Sequence, residues 1–300
     1  MRQSSLREFD PGALAGEVES RIRRFARGDL LVAWSGGKDS TLVLLAALSA
    51  APGRVVAAYI HVVGQTHADN VRVALSVADR LGLEVVRVRA CGRRLDAPRV
   101  VRPPALLHIL SGGTGCRGFW ALVRDKGWPV QAGGERWCCS EFKIKPLESV
   151  ARRLHLRRHV VGVKASDSWR RARILSRLGP GLPVIRHQAA ITLYPIHDLS
   201  DGEVWALLRH YDRGIHDAVR FQYERWGFSP NCALCPMSSR GNWARAVENT
   251  PTRALRRYLG ILREGAERAC SRSPTGPGCE SLSWRIRVVE GRVYGGGART

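Results

Sequence analysis

The chain has 300 residues and a mass of 33.2 kDa, enough for one large domain or two modest ones with a substantial core. An apolar fraction of 44% excludes a disordered chain, and no unbroken apolar run reaches the ~18 residues of a transmembrane helix. Basic residues number 48 against 26 acidic, a formal net charge of +22, which predicts attraction to polyanions such as nucleotides, RNA or sulfated metabolites.

Met1 to Pro11 is polar and lacks the apolar region of a signal peptide, so a cytoplasmic location is expected. Residues 13–27 read as an amphipathic helix with Leu14, Val18, Ile22 and Phe25 on one stripe, closed by Gly28. DLLVAW (29–34) is a short apolar run suited to a strand buried on both faces. SGGKDS (35–40) follows, then an apolar helical stretch (41–50) ended by Pro52-Gly53. Residues 54–63 read as a second strand, 71–83 as a second helix and 84–90 as a third strand. That alternation predicts an α/β fold: a parallel sheet flanked by helices.

Regularity breaks from Cys91 to Gly118, a stretch with Pro98, Pro103, Pro104 and a Ser111–Gly115 SGGTG run read as a flexible loop. Helices are predicted at 119–127 and 145–156, and a strand at 158–165. Residues 191–199 lead into a helix opened by a Ser200-x-x-Glu203 capping box, with His197 and Asp198 in capping or packing roles beside it. Helical patterns alternate through 243–269, and residues 283–296 read as a hairpin turning at Glu290-Gly291. The expected organisation is an N-terminal helix (1–27), a nucleotide-binding α/β domain (28–200), a helical part carrying a C-x-x-C (201–265) and a tail (266–300).

SGGKDS stands at a strand-to-helix turn, where unpaired backbone N–H groups point outward and the helix dipole adds positive potential. Gly36 and Gly37 permit a tight nest, Lys38 adds a point charge, and Ser35 and Ser40 add hydroxyl donors. Asp39 suits a metal or a helix cap. Neither G-x-x-x-x-G-K-[ST] nor the dinucleotide fingerprint is present. The loop resembles the pyrophosphatase (PP) loop of the adenine nucleotide α-hydrolase-like fold. The resemblance implies an adenine nucleotide at Ser35–Ser40, ATP cleaved between its α and β phosphates, and residues 61–69 near the adenosine.

Of the eight cysteines, four fall in two close pairs, Cys138-Cys139 and Cys232-x-x-Cys235. Paired thiols far apart in sequence suggest a shared metal site. Adjacent cysteines diverge in most backbone conformations, which is awkward for one zinc and easier for a cluster whose irons are spread out. A [4Fe–4S] cluster is therefore expected, with zinc and metal-free thiols as alternatives. Cys91 and Cys116 read as ordinary buried thiols. Trp137 stands beside the first pair. The Arg-rich runs 152–158 and 253–257 read as solvated faces, with RNA contact as the alternative.

R-W-C-C at 136–139 with K-x-K-P-L at 143–147, G-x-K-x-x-D-S at 162–168, P-I-x-D at 195–198, E-V-W at 203–205 and G-F…C-x-x-C-P at 227–236 occur in an order that resembles the phosphoadenosine-phosphosulfate (PAPS) reductase family, over residues 28 to 240. In the adenylyl-sulfate (APS) reductase branch such cysteines bind a [4Fe–4S] cluster, which implies Cys138, Cys139, Cys232 and Cys235 as its ligands. The resemblance also implies that the nucleotide's anionic end is met by Lys164, Ser168, Arg170 and Arg171, and that Arg136, Lys143 and Lys145 offset cluster charge. In reductase chemistry a thiolate attacks the sulfonyl sulfur and releases AMP or its 3′-phosphate, and a thioredoxin-like reductant then frees sulfite.

Two departures matter. The family's C-terminal Glu-Cys-Gly-x-His-type motif is absent, which leaves Cys279 as the candidate nucleophile. The phosphate loop is intact, whereas sulfonucleotide reductases tend to have a degenerate one. A PAPS/APS-reductase-like enzyme is the first reading; both departures shift weight toward the second, an ATP-dependent sulfurtransferase acting on tRNA or another nucleotide, with Lys38, Asp39 and Mg²⁺ serving the pyrophosphate leaving group. A non-catalytic iron–sulfur nucleotide sensor or RNA-binding module is the third reading.

Overall fold

A computed structural model describes residues 10–91, 94–95, 99–102, 118–129, 137–178, 182–186 and 190–295. Ser111–Gly115, Cys116 and Arg136 lie outside the described residues, as do the side chains of Cys91 and Arg170. In chain order the elements are helix α1 (Pro11–Phe25), strand β1 (Leu30–Trp34), α2 (Lys38–Ala50), β2 (Val55–Val62), α3 (Ala68–Arg80), β3 (Val85–Cys91), β4 (Arg94–Leu95), β5 (Arg99–Val101), α4 (Phe119–Lys126) and a single turn, α5 (Trp137–Cys139). A π-helical turn (Ser140–Ile144) continues into α6 (Lys145–Arg153). Then come β6 (Arg158–Val161), α7 (Trp169–Leu175), β7 (Val184–Arg186), β8 (Ile191–Leu193), α8 (Asp201–Tyr211), α9 (Arg213–Trp226), α10 (Arg240–Asn249), α11 (Thr252–Arg272) and α12 (Pro277–Tyr294).

The strand order is β4-β3-β2-β1-β6-β8-β7, with β5 also on β3. β6 pairs parallel with both β1 and β8, and the short strands β4, β5 and β7 pair antiparallel. Two compact units form, Met1–Ala58 with Ala151–Arg220 and Tyr59–Val150 with Phe221–Thr300.

In the first unit, β1 is buried along nearly its whole length, as its unbroken apolar run predicts. α2 buries every residue from Lys38 to Ala47 except Asp39, which explains an apolar sequence with little helical periodicity. α1 starts at Asp10, whose carboxylate accepts from the Gly12 N–H, and turns Ala15, Val18, Ile22 and Phe25 inward. Arg21 forks onto both Asp198 oxygens at 2.7 Å and donates to the Pro195 carbonyl. Asp198 thus ties α1 to the segment before α8. The Ser200–Glu203 capping box forms at α8 as its spacing predicts.

In the second unit, the segment expected to be a hairpin is helical: residues 283–294 belong to α12, Gly295 caps it, and residue 296 lies outside the described residues. Leu282, Arg285, Val289 and Val293 recur at helical spacing and are buried. Burial of that stripe outweighs the local β preference of Val288 and Val289. α12 packs on α11, and a Cys270–Cys279 disulfide joins the two helices, so helix occupies most of the expected tail.

Candidate functional site

The Ser35–Ser40 segment joins β1 to α2 and forms the first turn of that helix. Gly36 sits at φ 70°, a left-handed conformation that favours glycine, and Gly37 is the N-cap of α2. Ser40 Oγ accepts from the Ser35 N–H at 3.1 Å, donates to the Gly37 carbonyl at 3.1 Å and lies 3.0 Å from Ser35 Oγ. The two serines stitch the turn closed. Gly162, just past β6, runs against the same turn: a Cβ there would fall 2.5 Å from the Asp39 carbonyl oxygen and 2.7 Å from the Ser40 nitrogen.

Two ammonium groups and three carboxylates interlock beside the loop. Lys164 Nζ lies 2.7 Å from Asp39, 2.6 Å from Asp167 and 3.0 Å from Asp201. Lys38 Nζ lies 3.0 Å from Asp39 and 3.1 Å from Asp201. Burial alone would lower both lysine pKa values, but the aspartates outweigh it and raise them. Burial would likewise raise Asp167 and Asp201, and the lysines outweigh it and hold both low. One oxygen from each of Asp39, Asp167 and Asp201 lies within 4.8 Å of the others, an all-oxygen donor set suited to a hard divalent cation.

Of the residues expected to meet the nucleotide, Lys164 therefore belongs to this group. Arg171 pairs with Asp167. The Ser168 hydroxyl accepts from the Arg171 N–H as the N-cap of α7. Asp201 was not singled out from the sequence. Its only signal was an acidic residue at the start of α8, which reads as helix capping.

None of the four paired cysteines is in a disulfide. Cys138 and Cys139 form α5 and lead into the π-helical turn. Cys232 closes a 3₁₀ turn that starts at Pro230. The loop after β2 grips this C-x-x-C segment. Gln65 accepts from the Leu234 N–H at 2.9 Å and donates to its carbonyl at 3.2 Å. Thr66 Oγ1 donates to the Asn231 carbonyl at 2.8 Å, and Asn231 Nδ2 donates to the Ile60 carbonyl.

A hydrogen bond to Cys139, burial and the charges of Cys139, Cys235 and Cys232 all push the Cys138 thiol up. Burial pushes Cys232 up to about 11 against the opposing charge of Lys143. Lys143 is raised, first by Cys232, and hydrogen-bonds to it. Cys139, Cys232 and Cys235 thus act both on Cys138 and on Lys143. The other nearby lysine, Lys145, pairs instead with Glu141 at 2.9 Å, as Lys126 does at 3.1 Å. Trp137 stacks with Phe119 and has Lys126 Nζ 5.4 Å from its ring centre.

Cys279, the candidate nucleophile, is buried and disulfide-bonded to Cys270. The structure holds no free thiol at that position. His61, in the stretch expected near adenosine, is buried, and burial followed by Arg89 and Arg87 lowers its pKa to about 3.

No protein-family model matches the chain. It is 22% identical over 241 residues to an uncharacterized protein of Methanocaldococcus jannaschii, covering 80% of this chain and 42% of that one. It is 41% identical over 117 residues to a tRNA(Ile)-lysidine synthase of Polaromonas naphthalenivorans, covering 37% of this chain and 35% of that enzyme. The chain therefore spans less than half the length of either relative. Similar solved structures include a PAPS reductase from Candida auris (TM-score 0.42, 13% identity, 69% of this chain and 88% of that one). Another is the U34-tRNA thiolase NcsA from Methanococcus maripaludis with its [4Fe–4S] cluster (TM-score 0.45, 14% identity, 94% and 80%). A third is the NH3-dependent NAD synthetase from Campylobacter jejuni (TM-score 0.42, 16% identity, 97% and 99%). At these values the likeness extends to the fold alone. The mostly parallel sheet flanked by helices, with a helical C-terminal region that carries cysteines, is the α/β fold expected from the sequence.

Proposed function

We propose that this protein is an ATP-dependent enzyme that adenylylates an RNA acceptor at the Ser35–Ser40 loop, releases pyrophosphate, and carries out sulfur transfer with its four-thiol site. The observation that carries this reading is the convergence of Asp39, Asp167 and Asp201 beside the Ser35–Ser40 turn. Lys38, Lys164 and Arg171 offset these carboxylates, and a divalent cation held by the same oxygens would bridge them to a polyphosphate, the usual state of a nucleoside polyphosphate. A sulfonucleotide reduced by a thiolate needs only cations there.

The three aspartates would hold Mg²⁺, which when bound neutralises charge on the pyrophosphate leaving group. In this reading Lys38 would bind the polyphosphate, and Lys164 would keep the carboxylates ionised and in position; their contacts with the aspartates support this. Cys138, Cys139, Cys232 and Cys235 would hold an iron–sulfur cluster: three of these thiols act on the fourth, Cys138, and on the Lys143 ammonium, and four thiolates beside a cation are a donor set that fits that anion. When bound, the cluster would hold the sulfur to be delivered. The net charge of +22 and the likeness to a tRNA(Ile)-lysidine synthase support tRNA as the acceptor.

The order of the R-W-C-C, G-x-K-x-x-D-S and C-x-x-C-P motifs favours a second reading, reduction of APS or PAPS. It requires a free nucleophilic thiol, and so reduction of the Cys270–Cys279 disulfide by a thioredoxin-like partner. One experiment separates the readings. Anaerobically purified protein is given ATP with and without tRNA, then APS and PAPS with a dithiol reductant. Pyrophosphate release that requires both Mg²⁺ and tRNA supports the proposal. Sulfite release from APS or PAPS replaces it with the reductase reading, and binding without turnover leaves a nucleotide sensor.

A further inference from the structure

Arg285 is a buried guanidinium on α12, 6% exposed. Its donors go to uncharged oxygens. Nη2 reaches the Pro236 carbonyl at 2.9 Å and the Ser238 carbonyl at 3.5 Å. Nη1 reaches the Ser281 hydroxyl at 2.5 Å and carbonyl at 3.2 Å. Three tryptophan rings surround it, with centres 5.8 Å (Trp128), 4.8 Å (Trp243) and 5.8 Å (Trp284) from its Cζ. Its Nε makes no hydrogen bond, and neither do the buried indole N–H groups of Trp128 and Trp243. Among the described residues no carboxylate forms an ion pair with Arg285.

A buried cation without a counter-charge is strongly unfavourable, so this arrangement calls for an anion nearby. Burial disfavours the Arg285 charge first, and Arg240 adds like-charge repulsion, while Cys235 acts in the opposite sense. The geometry explains why. Arg285 holds the carbonyls of Pro236 and Ser238, while the Cys235 carbonyl accepts from the Ser238 N–H at 3.1 Å and hydroxyl at 2.8 Å. Arg285 and Cys235 thus grip the same turn. Lys143 acts on Cys232 in the same sense, as the opposing charge beside it.

Resting on the reading of the four thiols as an iron–sulfur site, we infer that Arg285 is the second cation of that site: a positioning residue that fixes Cys235 through the 236–238 turn and offsets the negative charge of the thiolates and bound iron–sulfide. A fixed positive charge beside such a group favours its reduced, more negative form and so raises its reduction potential. α12, far from the cysteine motifs in sequence, then completes the site.

The test uses the full chain, reconstituted anaerobically with ferrous iron and sulfide. Wild type is compared with Arg285→Lys, Arg285→Gln and Arg285→Met, the last an apolar fit to the tryptophan cage should the glutamine variant not fold. Helical content is followed by circular dichroism. The neutral variants should take up iron and sulfide but show a lowered midpoint potential and several-fold faster iron loss in air. Arg285→Lys should keep the wild-type potential. Neutral variants that match wild type in potential and iron retention overturn the role of Arg285 alone, as does a lysine variant shifted as far as the neutral ones. Wild type that takes up no more iron than Cys232→Ser overturns the iron–sulfur reading itself, and the role of Arg285 with it.

Discussion

Lys164 Nζ and Asp39 Oδ1 meet at 2.7 Å across 125 positions of sequence. The Lys164 side chain is fully buried and also contacts Asp167 and Asp201. Replacing it with Met would leave three carboxylates facing one another with Lys38 bridging Asp39 and Asp201 and Arg171 on Asp167. Lys164→Met is expected to lose about 3–5 kcal/mol of stability in urea unfolding. Added Mg²⁺ should restore more of that loss than it adds to wild type, which a purely packing role for Lys164 would not produce.

Asp201 is more exposed than its two partners, and its carboxylate is held low by Lys164 and Lys38 against burial. Asp201→Asn should fold normally. Its pyrophosphate release should need at least about tenfold more Mg²⁺ for half-maximal rate. An unchanged Mg²⁺ titration would remove Asp201 from the metal set.

Gly162 has no room for a side chain against the first turn of α2. Gly162→Ala must push the Asp39–Ser40 backbone aside, at a cost of about 1–3 kcal/mol. ATP affinity measured by calorimetry should drop sharply while far-ultraviolet circular dichroism stays near wild type.

His61 is held neutral in the folded state, with its pKa lowered from 6.5 to about 3 by burial and two arginines. The unfolded chain binds the extra proton, so this residue's stabilising contribution is present above pH 6.5 and is lost as pH falls toward 3. The slope approaches about 1.4 kcal/mol per pH unit within that window. A His61→Gln variant should show a flatter profile of unfolding free energy against pH between those limits.

The Cys270–Cys279 disulfide closes a short loop between α11 and α12, worth about 2–3 kcal/mol in the chain-entropy picture. Dithiothreitol should lower the melting temperature of wild type and leave Cys279→Ser unmoved. Equal response of the two proteins would mean that the bond does not form in solution.

Local patterns carried much of the fold. The buried run of β1, the glycines before α2 and the Ser200 capping box are all written in neighbouring residues, and the structure has each of them. The four cysteines could be paired on paper because their spacing is unusual. Asp201 could not be joined to Lys164 in this way, because nothing local marks a residue at a helix start as a partner of a lysine on another strand end. α12 failed for a related reason: two adjacent valines speak for a strand, and the helix is decided by what Leu282 and Val289 bury against. Arg285 lay hidden inside that misread segment.

The π-helical turn after Cys139 sets a phase. Twelve positions separate Cys138 from Val150, which in an unbroken α-helix places them about 120° apart around the axis. Five residues in π geometry absorb one extra residue, which brings the pair to within about 20° of a common face. Both are in fact buried. Deleting one residue from 140–144 would make a longer, more regular helix, yet it would force a choice between seating Val150 and presenting Cys138. Here the irregular backbone is what lets one helical rod face two demands at once, and tidying it would unmake the thiol site while improving the helix.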